Sequence, residues 1–170
     1  MKTSEKTIAI VGLALGGVFG MAGTFVTQPN LRSVFWAIDG VGLIVATCLL
    51  ALHYFRKDND LVAAGFLVYA IGEGVMLGGT AGSLDASVPS FAAGTALWAA
   101  ALLLTSVPGV FALWTRILGI IGAVLFAITS MKIFRGDELL PISQPLPYFA
   151  YPFLVLTFAG WIASLLIAED

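Results

Sequence analysis

The chain has 170 residues, 59% of them hydrophobic and 11% charged, with a mean hydropathy of +1.01 and a net charge of −2. Soluble domains carry about 25% charged residues, so the composition excludes an ordinary water-soluble globule and points to a polytopic helical membrane protein. The small net charge, without any basic cluster, excludes a nucleic-acid partner, and a single cysteine, Cys48, excludes an intramolecular disulfide or a CxxC redox pair.

The expected fold is all-α, an integral membrane protein built as a compact bundle of six transmembrane helices in one domain covering 1–170. The spans are read at 7–27, 33–54, 61–80, 90–107, 110–131 and 148–167, each close to the ~20 residues that a bilayer-crossing helix needs. Lys2 and Lys6 ahead of the first run resemble the start of a signal peptide. The run from Thr7 to Val26 exceeds the roughly 7–15 apolar residues of such a segment, so a first membrane helix is expected instead. It carries Gly12, Gly16 and Gly20 at four-residue spacing, a ridge of small residues that lets another backbone approach. That ridge serves either packing within the bundle or contact with a partner, whether a second copy or a larger membrane complex.

The second span follows TQPNLRS and places Asp39 in an apolar run. Arg32, Trp36, Asp39 and Leu43 share one helical stripe. Cys48 reads as packing. His53, the only histidine, reads as a solvated residue near the interface. The third span follows RKDND and contains Glu73, in a stripe with Tyr69, Met76 and Thr80. Gly72 and Gly74 flank Glu73 and are expected to leave space around it. Gly65, Gly72 and Gly79 recur at seven-residue spacing as a second packing face.

Pro108 and Gly109 form the turn between the fourth and fifth spans; without it the two would merge into one bent helix. Arg116 is expected to snorkel from within the fifth span, which also carries Gly119 and Gly122. The 132–147 segment, with Pro141, Pro145 and Pro147, reads as a stiff, ordered cover, because proline fixes the backbone. Tyr148 and Tyr151, with Trp36 and Tyr54, suit the aromatic belts of a membrane interface. Six spans put both termini on one side, with Lys2, Lys6, Arg56 and Lys57 there against Arg32, Lys132 and Arg135 opposite. The bias places the termini in the cytoplasm of a multi-pass cell-membrane protein.

Asp39 and Glu73 dominate the functional reading. An ionisable group in hydrocarbon costs roughly 2.5–3.5 kcal/mol, so it usually has a partner or a task. Counted from the outer ends of their expected spans at the helical rise, both lie about 10 Å deep. Their helices are sequential and antiparallel, hence neighbours. Lys132, Gln144 and Tyr151 are within reach from the cover. Two carboxylates in one low-dielectric site cannot both ionise cheaply, so a shared proton, exchangeable for a cation, is expected.

The leading expectation is therefore a site that binds or transports a small cationic or polar solute, with Asp39 and Glu73 at its centre and Tyr69, Trp36 and Thr80 lining it. Against it stands a purely structural role, with Asp39 paired to Arg32 or Lys132 and Glu73 bonded to a backbone carbonyl. An accessory subunit of a larger complex is the next alternative, and an intramembrane lipid-modifying enzyme the third. No cofactor or metal is expected. One histidine precludes bis-His haem ligation within the chain, HExxH is absent, and two carboxylates fall short of the six to eight oxygens that Ca²⁺ takes.

Overall fold

A computed structural model describes residues 1–79 and 84–167, and these residues contain six α-helices and no strand. They are α1 (Thr3–Phe25), α2 (Pro29–Phe55), α3 (Asp60–Gly79), α4 (Val88–Ser106), α5 (Leu113–Phe134) and α6 (Tyr151–Ile167). Each of the six, with the short 3₁₀ turns that lead into α4 and α6, is long and apolar enough to cross a membrane.

Helix boundaries depart from the hydropathy pattern where polar groups extend or delay a helix. The first helix starts at Thr3 rather than residue 7, because the Glu5 carboxylate accepts the Lys2 backbone N–H at 3.2 Å. The second starts at Pro29 rather than 33; proline lacks the N–H that a first-turn residue has no use for. The fifth starts at Leu113 rather than 110, so Arg116 falls in its first turn. There Arg116 donates from Nε to the Ser106 carbonyl and from Nη2 to the Val107 carbonyl, each at 2.8 Å, and caps the end of α4. The turn at Pro108–Gly109 does separate α4 from α5, which are two helices and not one bent one.

The helices form a closed ring in chain order, with α6 returning to pack on α1. Small residues set the close approaches. Along α1, Gly12 faces Gly42 and Ala46, Gly16 faces Leu43, Gly20 faces Asp39, and Gly23 faces Trp36, all on α2. A side chain at Gly12 would collide with the Gly42 carbonyl. The seven-residue series in α3 is a second seam: Gly65 meets Leu104 and Thr105, Gly72 meets Leu97 and Trp98, and Gly79 meets Ser90, all on α4. Between helices in lipid, packing and not water exclusion drives association, so removing side chains from a seam brings backbones together.

At one end of the ring, Glu5 and Arg56 pair at 3.7 Å, and the interior is filled by rings. Tyr54 stacks on Phe66 at 5.6 Å, and Phe66 meets Trp161 edge-on at 4.8 Å and Phe111 at 6.1 Å. At the other end the proline-rich segment folds into an ordered cover. Lys132 pairs with Asp137 at 3.0 Å, Ser143 Oγ accepts the Leu140 N–H at 2.9 Å, and the Tyr151 hydroxyl donates to the Pro141 carbonyl at 2.7 Å. The Gln144–Pro145 and Leu146–Pro147 peptides in this cover are cis.

Candidate functional site

Beneath that cover lies a cavity of about 80 Å³. Asp39 of α2 and Glu73 of α3 both line it, together with residues of α1, α4, α6 and Pro141 of the cover. Asp39 is 9% exposed and Glu73 4%. The Asp39 carboxylate occupies the space that a side chain at Gly20 would fill, and Glu73 Oε1 faces Gly40, so glycines on α1 and α2 make room for both acids. The two carboxylates lie within electrostatic reach of each other.

The oxygens are unequally served. Glu73 Oε2 accepts the Trp98 indole N–H at 3.1 Å. Asp39 Oδ1, although buried, has no hydrogen-bond partner within the protein among the described residues. No Lys, Arg or His appears among the described residues lining the cavity. The cations that the sequence offered as partners are engaged elsewhere. Arg32 Nε donates to the Val26 carbonyl at 3.0 Å, capping α1, and its guanidinium lies 5.8 Å from the centre of the Trp36 ring. Lys132 is paired with Asp137, and Gln144 is exposed.

Of the residues expected to form the site, the structure brings Asp39, Glu73 and Trp36 to one cavity, joined by Leu43 and Met76 of the same two stripes and by Tyr151. Tyr69 is not a wall residue. It is fully buried behind the cavity, stacked on Trp98 at 5.6 Å with the rings within 6° of parallel, and its hydroxyl has no partner among the described residues. Thr80 lies outside the described residues. Gly74 has nothing within 4 Å of where a side chain would start and is exposed, so it makes no room for Glu73. Gly72 acts differently: it admits α4, which is what lets Trp98 reach Glu73.

Trp98 is the residue that sequence reading missed. The available signal was chemical: an indole N–H in the middle of an apolar span needs an acceptor, and Glu73 is a side-chain acceptor buried in the neighbouring span. Phe91, Leu154 and Phe158 complete walls that no single-helix stripe reveals.

The arrangement suits the holding of one positive charge. Among the described residues no three His, Cys, Asp or Glu side chains come together as a metal-binding group. Two carboxylates offer four oxygens, one already bonded to Trp98, which is a poor match to a hard divalent ion. His53 packs edge-on against Tyr54 at 5.2 Å, at the end of α2 remote from the cavity, and Cys48 is a free thiol absent from the cavity wall. No protein-family model, curated protein or solved structure matches the chain.

Proposed function

We propose that this chain is a multi-pass protein of the cell membrane, its termini in the cytoplasm, that binds or transports a small cationic or polar solute at Asp39 and Glu73 in exchange for a proton. The observation that carries the proposal is Asp39 Oδ1: a buried carboxylate oxygen without a partner, beside a second buried carboxylate and a cavity with no basic lining residue among those described. A structural pair would be expected to use Arg32 or Lys132, and both are committed elsewhere. Two like charges in a low-dielectric chamber favour retention of a proton, and an arriving cation relieves the same repulsion. Trp36 and Trp98 also line the cavity, and aromatic rings attract cations.

Asp39→Asn and Glu73→Gln test this directly. Binding of potassium and simple ammonium ions to purified protein, read by tryptophan fluorescence, should weaken at least tenfold in each variant while the detergent-solubilised fold still melts cooperatively. Undiminished binding in both folded variants would overturn it. Because a proton competes with the cation at Asp39 and Glu73, wild-type affinity should fall as the pH is lowered. Proteoliposomes distinguish transport from binding: a cation gradient should drive counter-movement of protons only if the solute crosses.

One observation favours the accessory-subunit reading instead. An apolar groove runs along the outside of α1 and α2, walled by Ile8, Val11, Val34 and Val41 and lined also by Gly12 and Gly42. Of the three small residues expected to meet a partner, Gly12 reaches this groove, while Gly16 and Gly20 line the cavity. A specific membrane partner that co-purifies with the wild type and is released by Val41→Trp would support that alternative.

A further inference from the structure

The polar atoms of the chamber narrow the class of solute, given the cation-site reading above on which this inference rests. Beyond the two carboxylates, its hydroxyls are already occupied as donors. Ser87 donates to the Leu84 carbonyl at 2.6 Å, Ser90 to the Ser87 carbonyl at 2.8 Å, and Thr24 to the Met21 carbonyl at 2.7 Å. The Trp98 N–H is spent on Glu73. What remains among the described lining side chains is a pair of acceptor groups and a single indole N–H, that of Trp36, whose nitrogen lies against Gly23 of α1. A sugar-like or amide solute, which needs both kinds of partner, matches this poorly, and so does an alkali ion, which must exchange a full shell of water for oxygens. An ammonium group carries donors alone and matches an acceptor-only pair. Asp39 Oδ1 is the second, independent sign of a ligand beyond the presence of two acids, because its buried carboxylate lines the chamber and nothing among the described residues donates to it.

The rest of the wall is hydrocarbon, with Met76, Leu77, Phe91, Leu154 and Phe158 prominent. A volume of about 80 Å³ holds roughly five to eight water-sized occupants at 10–15 Å³ each. An organic cation of about that many non-hydrogen atoms fills it.

We propose that the ligand is a small protonated alkylamine, its N–H groups shared between Asp39 and Glu73 and its hydrocarbon body held by the apolar wall. The N–H groups matter as well as the charge: a quaternary ammonium satisfies the aromatic faces and leaves Asp39 Oδ1 unbonded.

Calorimetric titration of the wild-type protein in detergent decides this without depending on any variant. The probes are n-butylammonium, methylammonium, tetramethylammonium, potassium and neutral n-butanol. The expected result is n-butylammonium at least tenfold tighter than tetramethylammonium, potassium and n-butanol, and tighter than methylammonium. Potassium or tetramethylammonium binding as tightly as n-butylammonium would overturn the amine assignment and leave the cation site standing. Equal affinity for methylammonium and n-butylammonium would overturn the role given to the apolar wall. Equal affinity for n-butanol, or no binding by any probe, would overturn both this proposal and the cation-site reading. Asp39→Asn, and Glu73→Gln should Asp39→Asn not fold, give the blank for non-specific uptake into the micelle; n-butylammonium affinity equal to the wild type in a folded blank would also overturn both.

Discussion

Around the turn after α2, the centre of the ring is filled edge to face by Phe66, Phe111 and Trp161, with Tyr54 stacked on Phe66. Under the proline-rich cover, the same helices leave a chamber and place two acids in it. The difference lies in which side chains project inward. One half uses large rings and places no carboxylate among them. The other trims α1 to Gly16 and Gly20, whose space Leu43 and the Asp39 carboxylate take. A solute entering beneath the cover would therefore meet Phe158, which is backed by Trp161 with the ring centres 5.5 Å apart. A binding protein can keep that ring pair closed, whereas a transporter has to part it.

Substitutions in the two halves should separate these roles. The largest effect is expected from Trp161→Ala, which empties the aromatic half. Even where the bilayer cancels the transfer component, the void left behind should destabilise the fold by ~3 kcal/mol. A denaturant titration in mixed micelles checks it, and a loss under 1 kcal/mol would mean that the two halves do not differ as described. Next is Trp98→Phe, which keeps a ring against Tyr69 and removes the donor to Glu73. A hydrogen bond to a charged or proton-sharing acid contributes ~1–2 kcal/mol, and its loss should alter cation affinity more than it lowers the melting temperature.

Arg116→Ala should release the carbonyls at the end of α4 for a loss of about 0.5–1 kcal/mol, with cation binding unchanged because the cavity lies at the other end. A changed affinity would show that the ends communicate. The smallest effect belongs to Gly74→Ala. Beside Glu73 in sequence, yet facing open space, it should stabilise α3 by up to about 1 kcal/mol and leave the site untouched. Weakened binding there would place Gly74 in the chamber wall.

Hydropathy alone was enough to locate six helices, because each apolar run is bounded by polar or proline-bearing residues. The two acids were equally legible, since burial of a charge stands out against hydrocarbon. Sidedness along one helix was legible only in part. The Tyr69–Glu73–Met76 stripe is real, but the Trp98 ring stacks on Tyr69, and a shared face became a shared cavity for only two of the three. Trp98 is 25 residues from Glu73 and joins it across a seam opened by Gly72, a contact that no periodicity within either span encodes. Arg116 shows the same limit at a boundary. A three-residue delay in the start of α5 turned an expected snorkelling cation into the cap of the preceding helix.

The ring order has a consequence for assembly. Every helix after the first packs against the one made just before it, so contacts form between near neighbours as synthesis proceeds. Only α6 has to find a distant partner, α1, and it brings Tyr151, Leu154, Val155 and Phe158 to the chamber wall. A nascent chain that has released α1 to α5 into the bilayer already carries both acids, but its binding chamber does not yet exist. It comes into being when the ring shuts, so binding of the proposed ligand would read out completed biogenesis.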